Sequence, residues 1–472
     1  MNVIDFAGTE VDGPICQVVA SMAQLQGASL CLWDRAMDRI DRKAIRENKP
    51  RSNDLYVEAC WTLLSASESL QGRAVRTIED YLFGNLWYAV QQSNATELLE
   101  GLGKSIIDFG PKYFDENEES SGWSYALPLL LTQQYQTALT HLANVGNSLG
   151  LLQATHLAMA MREIQDLGNV AFGEQPMLTT LLVEFSRQMQ IADAPAALEY
   201  LVRIPNPDRR RSETARLLVE TRQFEALAGQ LSRDGMRQGM DSALDQAFSS
   251  SEITDILEEA ADLAISKNNP RDAMELMNLA ERYDLLLQLL NQELATHVNQ
   301  SATSEMRQSW KVTAQQFHSW HLEGPRTHVM DILMKQKQTS LVQTSRIILK
   351  LFDFFDALAM RDFQQACNIV DSIGVLPSSK SDLQVKEREY HSLDPLVREI
   401  FPAVLLGAMS ALYQQHESLK HNCFTVNKGT AMQRLAELRD RSCALMSFSG
   451  SLNMINSSEQ LAMMARMEAS MV

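Results

Sequence analysis

Between Ser249 and Ala280 the sequence spells out two helices and the turn that joins them. Ser249 stands three residues before Glu252, the spacing of a capping box, in which side chain and backbone cap each other reciprocally. Ile253, Ile256, Leu257, Ala260, Leu263 and Ala264 then recur at helical spacing, with Asp255, Glu258, Glu259 and Asp262 on the other face. Asn268, Asn269 and Pro270 stop that helix and start the next, because proline is tolerated in a first turn and not inside a helix. Ala273, Leu276, Met277 and Ala280 form the second stripe. Two helices joined so closely must run antiparallel, as an αα-hairpin.

The same junction recurs unevenly along the chain, an aromatic residue or proline opening a helix and a small or aliphatic residue following three positions later. Tyr135 with Ala138, Phe224 with Leu227, Pro270 with Ala273 and Phe363 with Ala366 are the instances. One hairpin has too little surface to bury its own stripe, so hairpins must stack. Uneven spacing excludes a regular repeat array. The expected fold is all-α, an irregular and elongated α-solenoid of stacked antiparallel hairpins. Glycine and proline number 21 and 13 in 472 residues, below the usual combined share of roughly 12%, as suits a chain with few strand turns. Loops are expected at Gly110 to Ser124, Pro205 to Arg211, Asn299 to Glu305 and Leu376 to Glu387, with a hinge near Pro205 and Pro207.

A formal charge of −17 repels phosphate backbones, which points to protein partners and away from direct binding of nucleic acid. The six cysteines follow no disulfide or zinc spacing, so a reducing compartment is expected. No uninterrupted run of 18 apolar residues occurs and Met1 to Pro14 is acidic, so neither a transmembrane segment nor a signal peptide is expected.

Three strings invite chemistry. Gly101, Gly103, Lys104 and Ser105 read G-x-G-K-S, but Leu98 occupies the position where a phosphate loop needs its first glycine, and Thr96 to Glu100 reads as helix. A helix end with capping glycines is the expectation. His318, His321 and His328 lie near Trp310 and Trp320 with Glu323 as the nearest carboxylate, and Gly324 and Pro325 break the helix before His328. A partly exposed helix end is expected there, and no metal site. Arg35, Arg39, Arg42, Lys43, Arg46, Lys49 and Arg51 are interleaved with Asp34, Asp38, Asp41 and Glu47, which reads as a solvated face laced with ion pairs. The stripe Ile348, Leu351, Phe352, Phe355, Leu358 and Ala359, with Arg346, Lys350, Asp353 and Asp356 opposite, reads as core. No catalytic, cofactor or metal residue is assigned, no cofactor is expected, and the chain is read as a non-enzyme.

Beyond the helical pattern, ordered strings resemble the nucleoporin-interacting component family, inner-ring scaffold nucleoporins of the nuclear pore complex. They are Glu79-Asp80-Tyr81-Leu82, Tyr125 to Leu142 with Gln133-Gln134-Tyr135, Ala197-Leu198-Glu199-Tyr200, and Leu218 to Phe224 followed by Asp234-Gly235. Phe352 to Val370, Val375-Leu376-Pro377, Val404-Leu405-Leu406, Phe448-Ser449-Gly450 and Met467-Glu468 continue the order. The expected division is a helical segment over 1–75, which matches the family poorly, and a solenoid over 76–472. The resemblance implies a scaffold without enzymatic activity at the nuclear envelope that binds linker nucleoporins and other inner-ring scaffolds, supporting pore assembly and nucleocytoplasmic transport. It implies that central-channel nucleoporins are anchored through an N-terminal helical and disordered region unlike residues 1–75, so channel anchoring is not expected of this chain. The positions of the partner-binding groove do not follow from it. The alternative is an α-solenoid adaptor of another assembly, such as a vesicle coat.

Overall fold

In the computed structural model, which describes residues 47, 54–65, 68–70, 75–114, 122–145, 148–166, 176–231, 237–238, 242–322, 327–422, 428–452 and 458–471, helices reverse through one recurring joint. The chain divides into two compact units, the first ending at Phe185 and the second beginning at Ser186.

The first unit holds α1 (Leu55–Ser65), α2 (Ile78–Val90), α3 (Ala95–Phe109), the single turn α4 (Pro111–Phe114), α5 (Trp123–Leu131), α6 (Tyr135–Asn144) and α7 (Ser148–Asp166). The helix α8 (Pro176–Met189) carries the division between the units. Thr77 caps α2 through a reciprocal box with Asp80, and the Trp87 indole N–H donates to the Leu63 carbonyl of α1 at 2.8 Å. Consecutive helices pack on one another from α1 to α7, and α3 also packs on α5.

The second unit continues with α9 (Ala194–Leu201), α10 (Pro207–Thr221), α11 (Phe224–Ala228), a two-stranded ribbon of β1 (Gln230–Leu231) and β2 (Arg237–Gln238), and α12 (Ala243–Ala247). The expected hairpin follows as α13 (Ser250–Ser266) and α14 (Pro270–Leu279). Next come α15 (Tyr283–His297), α16 (Glu305–Phe317) with a π-turn over His318–Leu322, α17 (Thr327–Lys335), α18 (Thr339–Ala359) and α19 (Phe363–Ile373). The unit closes with α20 (Leu383–Ser392), α21 (Pro395–Asn422), α22 (Lys428–Ser451) and α23 (Ser458–Met471). Packing does not follow chain order throughout: α10 packs on α13 and α15 on α18, with the intervening elements set aside. The solenoid is therefore irregular, as its uneven junctions implied.

The joint has a definite chemistry. Gln133, Asn268, Glu281, Lys337 and Arg361 each take a left-handed backbone, with φ between 56° and 61°. In each case the next residue's N–H donates to a carbonyl five positions back: Gln134 to Leu129, Asn269 to Ala264, Arg282 to Met277, Gln338 to Leu333 and Asp362 to Ala357, at 2.8–2.9 Å. That is a Schellman motif, which satisfies carbonyls orphaned at a helix end. The residue that closes it immediately precedes the following helix, so the whole connection is three residues long. Tyr135, Pro270, Tyr283, Thr339 and Phe363 then open the next helix, and Ala138, Ala273, Leu286, Val342 and Ala366 three positions on are buried. Sequence spacing had found three of these five joints and the related one at Phe224 and Leu227. Tyr283 with Leu286 fits the same spacing, whereas Thr339 lacks the opening ring or proline.

The capping box of Ser249 and Glu252 is formed. The break expected at Pro205 to Arg211 is shorter than read, because Asn206 caps α10 by accepting from the Arg209 N–H at 3.0 Å and Pro207 is already helical. Among the described residues one helix, Pro395–His421, is long and apolar enough to cross a membrane by length and composition, with mean hydropathy 1.4. Polar residues such as Arg398, Glu399 and Gln414 interrupt it, so it holds no uninterrupted apolar run of 18. Half of that stretch is buried, against α15, α18, α19, α22 and α23.

Candidate functional site

An apolar cleft opens in the second unit between α18, α19 and α21. Ile347 and Leu351 come from α18, Val370 and Ile373 from α19, Val375 and Leu376 from the loop behind it, and Val397, Phe401 and Val404 from α21. Its floor is buried, while Ile347 and Ile373 stand half-buried at the mouth. The cleft is nearly closed, with a free volume of about 10 Å³. Gly374 builds the rim: at φ 77° it ends α19, its N–H donating to the Val370 carbonyl at 3.2 Å. The freed carbonyls of Ser372 and Gly374 accept from the ammonium groups of Lys350 and Lys386, which suit the negative end of a helix dipole.

Two larger hollows in the second unit carry charged side chains in their walls. Arg222 pairs with Asp272 at 2.5 Å in one, where burial first and Asp272 second push the Glu275 carboxyl up against the opposing pull of Arg222. Arg237 pairs with Asp245 at 2.7 Å in the other.

The strings that invited chemistry are accounted for differently. Gly101, Gly103, Lys104 and Ser105 lie inside α3, not at a helix end: Lys104 pairs with Glu100 at 2.7 Å and the Ser105 hydroxyl donates to the Gly101 carbonyl. Gly103 is there because Gln134 crosses it, so close that an added Cβ would stand 2.7 Å from the Gln134 Cγ. The glycine that ends α3 is Gly110, at φ 73°. His318 and His321 are buried rather than exposed. The His318 Nε2 lies 2.7 Å from the Ser345 hydroxyl, and His321 stacks on Phe317 with ring centres 4.8 Å apart. His328 falls in α17, past the π-turn, while Glu323, Gly324, Pro325 and the basic stretch Arg35 to Arg51, Glu47 apart, lie outside the described residues. Among the described residues no three metal-binding side chains are grouped. Cys60, Cys367 and Cys443 are free, and burial pushes the Cys367 thiol up, which disfavours the reactive thiolate.

The cleft joins residues that sequence reading had left apart. Val370, Val375, Leu376 and Val404 belong to three of the strings that carried the family resemblance, and the cleft brings them together. Periodicity marked each as apolar, but nothing in one sequence says which apolar positions share a crevice.

Stacked hairpins around an apolar cleft define a helical scaffold of the solenoid class. The chain belongs to the Nup93/Nic96 family, whose model matches residues 38–460. It is similar to the nuclear pore complex protein Nup93 of Xenopus laevis, 23% identical over 91% of this chain and 54% of that protein. It is similar also to nucleoporin NIC96 of Saccharomyces cerevisiae, 20% identical over 79% of this chain and 46% of that one. The chain thus spans about half the length of the relatives it matches. The crystal structure of Chaetomium thermophilum Nic96 SOL superposes with a TM-score of 0.55 at 17% identity, covering 99% of this chain and 74% of that one, which supports the fold.

Proposed function

We propose that this chain is a structural scaffold nucleoporin of the nuclear pore complex inner ring, at the nuclear envelope, and that it holds a linker nucleoporin through the cleft between α18, α19 and α21. The observation that carries this reading is the convergence of three family-like strings on one wholly apolar cleft, in a family whose relatives are named as nuclear pore proteins. Apolar grooves between helices suit short amphipathic segments. Inner-ring scaffolds are the other partners of this reading, and pore assembly and nucleocytoplasmic transport are the processes it serves. It requires no nucleotide, metal or catalysis. Family membership disfavours the vesicle-coat alternative.

Because the cleft is apolar, the contact should survive salt, which at 1 M screens charges beyond roughly 3 Å. A tagged chain is expected at a punctate nuclear rim, and affinity capture from nuclear-envelope extract is expected to retain a linker nucleoporin through high-salt and chelator washes. Ile347→Glu with Ile373→Glu, both at the half-buried mouth, should lower that retention at least tenfold with helix content unchanged. Cytoplasmic vesicles, capture without any inner-ring or linker nucleoporin, or loss of retention in chelator would refute the reading.

A further inference from the structure

The helix α23 buries one residue type among its described side chains. Its buried side chains are Met464, Met467 and Met471, at i, i+3 and i+7, while Leu461 and Met463 remain exposed. The three methionines cluster with buried Met409 of α21, and Leu406, Tyr413 and Met446 pack around them. The Ser442 hydroxyl donates to the Met409 sulfur at 3.5 Å, and Arg439 of α22 donates to the Met471 carbonyl. Thioethers are apolar and flexible, and so fill such a seam. A sulfoxide in the same place is polar, and it would carry an acceptor oxygen into a contact built of apolar groups.

We propose that Met464, Met467 and Met471 form an oxidation-sensitive latch, and that conversion of these thioethers to sulfoxides by hydrogen peroxide releases α23 from the stripe Leu406, Met409 and Tyr413. In each step a sulfur lone pair attacks one peroxide oxygen, the S–O bond forms and the O–O bond breaks. The departing hydroxide takes the remaining peroxide proton and leaves as water. Sulfur gives up two electrons and the peroxide accepts them. Met467, at 9% exposure, is the most accessible of the three, and Met464 and Met471, at 0% and 1%, become reachable as the helix lifts. Cys443 of α22 does not compete as a thiolate, because hydrogen bonding to the Glu468 carboxylate of α23, with burial adding to it, pushes its thiol up. This inference stands apart from the linker-binding reading.

The test treats the full chain with stepwise hydrogen peroxide, maps sulfoxide at each methionine by peptide mass spectrometry and follows amide hydrogen exchange. Exposed Met306, Met334, Met360, Met432 and Met463 should oxidise first and leave exchange in α21 and α23 unchanged. Sulfoxide at Met467, Met464 and Met471 should then raise exchange across residues 458–471 at least tenfold and raise it in 404–416, and methionine sulfoxide reductases should reverse both. The combined variant Met464→Leu, Met467→Leu and Met471→Leu should keep its protection at the same dose. The latch is refuted if the three sulfoxides form without a change in exchange, if the leucine variant loses protection equally, or if the three stay reduced until helical circular dichroism collapses.

Discussion

Arg361 carries a long side chain on a backbone, at φ 61°, that suits glycine. A Cβ in the left-handed region costs roughly 1–2 kcal/mol, and glycine returns about 0.5–1 kcal/mol of that through its freer unfolded chain. Arg361→Gly is therefore expected to stabilise the second unit by about 0.5–1 kcal/mol, read as a rise in the urea midpoint. Arg222, also left-handed, should not gain equally, because its guanidinium pairs with Asp272. His416 of α21 makes the opposite case, an imidazole at 1% exposure. Burial first, then Arg439 facing it from α22, hold it below its ordinary value of 6.5; Lys420 adds to this and Glu417 opposes it. With the folded value below the unfolded one, the unfolded chain takes up more protons between the two. Stability should thus be full above pH 6.5, decline as pH falls toward the folded value and level off beneath it. Urea titrations at descending pH check this, and His416→Leu should flatten the decline.

At the scale of elements, α16 and α18 are tied by charge as well as by apolar contact. Arg307 is fully buried. It pairs with Asp356, donates to the Phe352 carbonyl at 3.1 Å and the Val298 carbonyl at 3.3 Å, and lies 4.7 Å from the Phe352 ring centre. Lys311 adds bonds to Asp356 and Asp353 at 2.7 and 2.8 Å. Removing one member of a buried pair strands the other, at a cost of about 3–5 kcal/mol, whereas replacing both with apolar residues is often neutral. Asp356→Ala should destabilise by that amount in urea denaturation, and Arg307→Met with Asp356→Leu should recover most of it. The sequence placed Asp353 and Asp356 opposite the apolar stripe of α18, and that much was legible. It could not show that Arg307, 49 residues earlier, would reach Asp356, since periodicity assigns a face and not what covers it. For the same reason Phe354 is buried where Phe355 was expected and is only half-covered.

Across the whole chain, the fold class was legible because it rests on local information: caps, stripes and stops, each within a dozen residues. The cleft was not, because α21 packs on α18 and α19 past the intervening α20, and its lining is drawn from all three. Stops were legible too, except at Glu281 and Lys337, where a charged residue does what glycine usually does and no expected junction marked the place. Those joints have a geometric consequence for how such a chain can change length. A residue inserted at one of them has no slack to disappear into, and if the next helix absorbs it, every later side chain on that helix swings by about 100° and advances 1.5 Å. The stripe would then face water and the polar face would turn inward. The joints work as fixed-pitch couplings, and length can vary without that penalty in exposed loops such as residues 299–304 between α15 and α16.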